Sequence, residues 1–322
     1  MSKSKVKPGF DTIMRKYGIY VIFLVLVIAA SLSTESFLTV KNITNVLRQI
    51  SVMGVLALAE MMLIISGQID LSVGSIVALA GMLSVNAYLK TGSFVVLFAV
   101  AIIAAMLLSA FSGIMVAKVK LPAFIATMAM DWIARGLCYL YTNGQAVYKI
   151  GDYGKISTTY IAGIPLPVLF LIGMAVICWI VLNRTTLGRD VYAIGGNAEA
   201  ANASGIKVNK SIIITFAFAG FLTGIAAILQ ISRVNSGYPD TAMNYHGDAI
   251  AAAVIGGTSF TGGIGTVSGC LVGACIMGFL SNFLNLIGLG AYFQMVTKGA
   301  IILIALAIDI LGKNKVLRGK KK

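Results

Sequence analysis

Apolar stretches that approach or reach the ~17–25 residues of a membrane-crossing helix recur from one end of this chain to the other. They lie at Gly18–Leu32, Leu47–Ile65, Leu71–Leu89, Phe94–Ala117, Ala123–Tyr141, Leu166–Leu182, Ser211–Ile231, Thr266–Leu286 and Tyr292–Leu311. In hydrocarbon every backbone N–H and C=O must be paired inside the chain, so only helices and closed barrels can cross. The apolar/polar alternation of barrel strands is absent, which predicts helices. Apolar residues make up 58% of the 322 and charged residues 11%, against roughly 25% charged in soluble domains. A water-soluble fold is therefore excluded. The expected class is all-α, a polytopic inner-membrane helix bundle forming a single transmembrane domain over residues 1–322.

Charge sets the expected topology. Lys and Arg number 25 against 11 acidic residues, a net +14. In a soluble protein that excess would suggest nucleic acid; here its location argues otherwise. Cytoplasmic connections of membrane proteins carry the surplus of Lys and Arg. Lys3, Lys5, Lys7, Arg15 and Lys16, in the basic tail 1–16, place the N-terminus inside. Counting spans alternately, Lys118, Lys120, Arg184, Arg189, Lys207 and Lys210 also fall inside. The tail 312–322, with Lys313, Lys315, Arg318, Lys320, Lys321 and Lys322, would lie outside after nine crossings. A further crossing at Ala242–Phe260, around the short apolar run Asp248–Gly257, brings it inside. About ten transmembrane helices and two cytoplasmic termini are predicted, and no nucleic-acid partner. The first span also has the outline of a signal peptide, with Ala29-Ala30-Ser31 after the apolar run; an uncleaved first helix is the favoured reading.

Polar residues inside such spans are costly and mark candidate sites. Ser66-Gly67-Gln68-Ile69-Asp70-Leu71-Ser72 interrupts a long apolar region. Asp70 either caps the following helix or belongs to a broken-helix site on a permeation path, with Gln68 and Ser72 beside it. Glu60 lies on the preceding span. Asp131 and Arg135, four residues apart, are expected to pair on one helix face, and Lys298 to snorkel outward. Cys138, Cys178, Cys270 and Cys275 lie in apolar helices without metal-like spacing, and the single His246 supports no metal site or catalytic triad.

Glycines concentrate at Gly256, Gly257, Gly262, Gly263 and Gly265, followed by Gly269 and Gly273. No Gly-Lys-Ser/Thr follows, so this is no phosphate-cradling loop. A stripe of small residues every fourth position predicts close helix packing. The connection 183–210 is long for a compact bundle. Within it Asn197 is the expected N-cap of a short helix over Ala198–Ser204, with Gly205 as its C′ residue. It is either a structured linker or a docking element for a peripheral subunit.

Several of these segments resemble the sugar-importing ABC permeases of the ribose, galactoside and xylose group. The resemblance is carried by Ser66–Ser75, by Leu121–Thr127 with Arg135-Gly136, and by Leu187-Gly188-Arg189 through Asn197 to Ile206. It continues through Asp248–Ala252, Gly256–Ser259 and Gly262–Thr266, and ends at Tyr292–Met295 with Lys298. His246-Gly247 departs from the family pattern, as does Asp131. The resemblance implies a permease subunit, not an enzyme, that moves a monosaccharide inward by alternating access. Gly195, Gly196, Asn197, Glu199, Ser204 and Gly205 would then belong to the element that couples to the ATPase. The implied partners are a second copy of the permease, a cytoplasmic ABC ATPase, a periplasmic or lipid-anchored sugar-binding protein, and membrane lipid. No cofactor is expected on this chain, since ATP and Mg would sit on the ATPase. The rival reading is an autonomous ion-coupled secondary transporter or channel, with Asp70, Glu60 or the Asp131/Arg135 pair carrying the ion.

Overall fold

The computed structural model describes residues 10–319. Lys3, Lys5, Lys7, Lys320, Lys321 and Lys322, on which part of the topology reading rests, lie outside the described residues. Helix α1 (Phe10–Ser33) is followed by α2 (Val40–Ile65), α3 (Val73–Thr91), α4 (Phe94–Ile114) with a π-helical extension Met115–Val119, and α5 (Ala123–Thr142). A 3-10 turn (Gly151–Gly154), α6 (Lys155–Thr158) and the hairpin β1 (Tyr160–Ile161) with β2 (Ile164–Pro165) lead into α7 (Leu166–Arg184). Then come α8 (Thr186–Gly196), α9 (Ala198–Ala203), α10 (Val208–Val234), α11 (Tyr245–Ile255), α12 (Val267–Leu286) and α13 (Ala291–Gly319).

Seven of these, α2, α3, α4 with its extension, α5, α7, α10 and α12, are long and apolar enough to cross a membrane. The chain is a multi-pass helical membrane protein. Helices α1 and α13 carry shorter apolar segments, Ile19–Ser33 and Ala291–Ile304. Of the ten predicted crossings, the first and the last rest on these shorter segments, and the one at Ala242–Phe260 departs furthest from a plain span. Helix α11 has 11 residues, about 16 Å at 1.5 Å per residue, against a hydrocarbon core of about 30 Å. Residues 235–244 before it are irregular, with Ala242 and Asn244 at φ 59° and 64°. A left-handed backbone is uncommon for alanine and needs surroundings that hold it.

The bundle is built around α2. The most apolar part of α2 is 89% buried within the protein and that of α10 72%, against 22% for α4. The outer helices turn Val95, Trp132 and Leu140 outward, each at least 75% exposed. That pattern suits hydrocarbon surroundings and would be ruinous in water. Lipid gives no hydrophobic drive for helix association, so backbones must come close enough for dispersion to act. Gly220 and Gly224 on α10 do this against Ala101 and Ala105 of α4: a Cβ at Gly220 would stand 2.7 Å from the Ala105 carbonyl oxygen, and one at Gly224 2.8 Å from Ile102 Cα. Asn42 of α2 and Asn282 of α12 exchange amide hydrogen bonds of 2.9 and 2.7 Å. In lipid such a reciprocal pair satisfies both side chains.

The connection 143–165 is folded. Val147 and Gly237 exchange backbone hydrogen bonds of 2.7 and 2.9 Å, tying it to the segment before α11. Tyr153 is fully buried and its hydroxyl is 3.0 Å from Ser84 Oγ. The hairpin turns at Ala162 and Gly163, both with positive φ (50° and 79°), as a two-residue type I′ turn requires.

Candidate functional site: two helix breaks and a glycine junction

Helix α2 ends where glycine permits it. Gly67 adopts φ 76°; its N–H donates to the Ile64 carbonyl at 2.9 Å and that of Gln68 to Leu63, also at 2.9 Å. This is the Schellman arrangement, which satisfies the last free carbonyls of a helix. The chain then turns back on itself, and the next residues are stitched to two helices at once. The Asp70 N–H donates to Glu60 Oε2 at 3.4 Å, and the Leu71 N–H to Thr127 Oγ1 on α5 at 3.1 Å. Asp70, Ser72 and Glu60 are all fully buried, and Gln68 is half-buried.

Asp70 does not cap α3 as an N-cap. That position is Ser72, whose side chain makes no capping bond. Asp70 Oδ1 instead accepts the Ser72 N–H at 2.8 Å and the Ser72 hydroxyl at 2.5 Å, so it fixes the turn one step before the helix. Glu60 Oε1 and Asp70 Oδ2 have no hydrogen-bond partner. Buried polar atoms without partners are rare and costly, and here two of them belong to neighbouring carboxyl groups at a helix break.

The second break lies against the first. A Cβ on Gly74, in the first turn of α3, would stand 2.5 Å from the carbonyl oxygen of Ala242, the residue held in left-handed conformation before α11. Arg135 belongs to this second break. It does not pair with Asp131: its guanidinium donates to the Pro239 carbonyl and to the Thr241 carbonyl at 3.0 Å. Tyr139 donates to Asp240 Oδ1 at 2.5 Å. A single guanidinium nitrogen, Nη1, satisfies two carbonyls of an irregular segment that has no helix to satisfy them, and this outweighs pairing along one helix face. The predicted snorkelling of Lys298 is likewise corrected. Lys298 Nζ lies 2.7 Å from Asp248 Oδ2, with side chains 23% and 18% exposed. The ion pair fastens α13 to α11.

The connection 183–210 holds two helices where the sequence predicted one. Helix α9 is as expected: Asn197 Oδ1 accepts the Ala200 N–H at 2.9 Å. Gly205 (φ 88°) closes it, with the Ile206 N–H donating to the Ala201 carbonyl at 3.1 Å. Helix α8 is not evident in the sequence, because Gly188, Gly195 and Gly196 depress its propensity. The available signal was Thr185, whose hydroxyl caps it by accepting the Gly188 N–H at 3.3 Å.

The far end of α8 is seated on the first break. A Cβ at Gly195 would overlap the Ile65 carbonyl oxygen and stand 2.6 Å from Gly263 N. The Gly263 N–H in turn donates to that same Ile65 carbonyl at 2.8 Å. Gly262 and Gly263 have φ 86° and 74°, and a Cβ on Gly262 would meet the Gly195 carbonyl at 2.7 Å. Tyr192 adds a side-chain tie, its hydroxyl donating to the Gly265 carbonyl at 2.7 Å. Burial pushes the Tyr192 phenol above its ordinary value, so it remains a donor at neutral pH. Three glycine backbones thus bring α8, the end of α2 and the α11–α12 connection into direct contact.

Other glycines divide by role. Gly269 and Gly273 face the carbonyls of Gly256 and Ala252, and Gly256 faces Gly269 and Cys270 in return, which is close packing of α11 on α12. Gly265 lies against Ile65 and Thr258. Gly257 meets nothing within 4 Å, but its φ of 85° makes it a turn residue. Glu199 is exposed beside a groove that Lys120 and Lys207 also line. Ser204 returns its hydroxyl to the Ala200 carbonyl at 2.9 Å. Among the described residues, no cluster of His, Cys, Asp and Glu could hold a metal ion.

Comparison with known proteins places this architecture. The family described as "Branched-chain amino acid transport system / permease component" matches residues 42–306. The ribose import permease of Haemophilus influenzae is 39% identical, covering 92% of this chain and 94% of that protein. The D-allose transport system permease of Escherichia coli is 36% identical over 96% of both chains. The L-arabinose transport system permease of Escherichia coli is 36% identical over 94% of this chain and 92% of its own. No solved structure gives a significant match. The spans and these relatives agree: the chain belongs to the branched-chain amino acid transport system / permease component family and is a transport subunit, not an enzyme.

Proposed function

We propose that this chain is the permease of an ABC importer that carries ribose or a similar pentose or hexose across the bacterial cytoplasmic membrane. It works as a homodimer, with a cytoplasmic ATPase that holds ATP and Mg, and with a periplasmic or lipid-anchored sugar-binding protein. The observation that carries this reading is the likeness to ribose and allose permeases over nearly the whole chain, and the seat of α8 on the break at Ile65–Gly67 supplies its coupling route. An ATPase that pushes on the 183–210 connection moves α8. Through Gly195 and Gly263 that displacement reaches the end of α2 and the start of α12 without a flexible side chain between them. The first turn of α3, which follows the break at Asp70, packs on the segment at Ala242, so both can rearrange together. Alternating access requires only that nucleotide binding and hydrolysis favour one of two such arrangements. Glu60, Gln68, Asp70 and Ser72 line or brace the pathway at the first break, and Arg135 braces the second.

In this orientation α11 with residues 235–244 completes ten crossings, and both termini are cytoplasmic. A reporter fused after Lys322 should give a cytoplasmic signal; a periplasmic one means an odd number of crossings. In a host lacking its own ribose permease, the chain supplied with its ATPase and binding protein should restore ribose uptake. Restoration by another monosaccharide alone would move the substrate away from ribose, and restoration by none would remove sugar import.

A further inference from the structure

Helices α7 and α12 both lean on α2, and they leave a gap between themselves. Leu171 of α7 lies over Gly54 of α2, where a Cβ would stand 2.8 Å from Leu171 Cδ1, and Gly278 of α12 lies against Ile50. Between the two helices is a cavity of about 600 Å³, walled by Ala175, Val176 and Trp179 on one side and Leu271 and Cys275 on the other. Val176 and Trp179 are 50% and 47% exposed, so the cavity opens sideways, where the outer helices meet hydrocarbon. Its polar groups gather at one end: Asn183 at the last turn of α7, Thr266 before α12, and Tyr192 of α8. At that end the exposed Arg184 places its guanidinium carbon 5.7 Å from the centre of the Trp179 ring. An apolar slot open to the membrane, with a cation parked at its polar mouth, has the chemistry of a lipid.

We propose that this groove is a binding site for one anionic phospholipid, its acyl chain between α7 and α12 and its phosphate at Arg184. The site rests on the orientation proposed above, which puts Arg184 on the cytoplasmic leaflet, where anionic headgroups gather. The cation–π contact holds the guanidinium at the mouth at little further entropic cost. Tyr192 lines the inner end and also ties α8 to Gly265, so the lipid lies against the same helix that is seated on the break. An acyl chain there supplies contacts that the walls otherwise lack, since a void forfeits the dispersion of its lining.

The chain has two tryptophans, and Trp132→Phe leaves Trp179 as the only one. Purified W132F in nanodiscs is titrated with brominated phosphatidylglycerol and, separately, brominated phosphatidylcholine, following Trp179 fluorescence. Half-quenching is expected at a roughly fivefold lower mole fraction of the anionic lipid, as one arginine near a charged surface provides. Arg184→Gln should merge the two curves and Arg184→Lys restore most of the separation. Equal curves in W132F, or a separation that survives R184Q, overturn the proposal. So does the absence of quenching by either lipid, which assigns the groove to a protein occupant such as a second copy. A cytoplasmic fusion signal together with equal curves removes the lipid site and leaves the orientation standing.

Discussion

Gly195→Ala should cost most of the sugar uptake while leaving the chain in the membrane. The added methyl has nowhere to go, because it would overlap the Ile65 carbonyl oxygen and stand 2.6 Å from Gly263 N. Both obstacles are backbone, so no rotamer change relieves the contact. Either α8 lifts away, or the hydrogen bond from Gly263 to Ile65 at 2.8 Å is broken. Overpacking of this kind costs about 1–3 kcal/mol. If that cost falls on one of two transport states, the balance between them shifts roughly 5- to 150-fold. The core spans are untouched, so insertion and membrane abundance should match wild type. Gly196→Ala is the control: a Cβ there meets nothing within 4 Å, and uptake should stay near wild type. Uptake and binding-protein-stimulated ATPase activity, measured at equal membrane abundance, decide the matter. Equal activity of the two variants would remove the glycine junction from the coupling path.

Asp70→Ala has the second large expected effect, and it acts through a different loss. Asp70 Oδ1 accepts from both the backbone and the hydroxyl of Ser72, and Asp70, Ser72 and Glu60 are all fully buried. Removing the carboxyl strands two donors where water does not reach, at about 1–3 kcal/mol each. The break should loosen, lowering membrane abundance and reducing uptake per molecule by about tenfold or more. Asp70→Asn keeps an oxygen acceptor in the same place and should restore abundance. If D70N also restores uptake, the carboxyl serves as a brace; if abundance returns without uptake, its charge or proton belongs to the pathway. Wild-type abundance and uptake in D70A would contradict both roles.

How much of this was readable from the residues follows from which interactions are local. The spans were legible because hydropathy sums over one helix, and α5, α7 and α12 begin within one residue of the predicted starts. Asn197 and Gly205 were legible for the same reason: a cap and a left-handed C′ residue act within four positions. The stripe Gly265, Gly269, Gly273 announced close packing, but the partners Gly256 and Ala252 had to be seen. The acceptors of Arg135 lie 104 and 106 residues away, out of reach of a local pattern, which points instead to Asp131 four positions off. Lys298 and Asp248 are 50 residues apart, and neither position advertises the other. Thr127 appeared only within a motif, although its hydroxyl anchors Leu71 to α5. In each case the local environment sets a residue's need for a partner, and the packing of distant helices supplies it.

The division of labour implied by the family is what the α8 junction must serve, and one reconstitution tests it most directly. The purified chain is placed in proteoliposomes with or without its ATPase and binding protein, and labelled sugar is followed under three conditions: ATP, an imposed proton or sodium gradient, and neither. Accumulation should require the ATPase, the binding protein and ATP together, and the chain alone should show no gradient-driven uptake. Full, gradient-dependent accumulation by the chain without an ATPase would contradict the account and assign the buried Glu60 and Asp70 carboxyls to ion coupling.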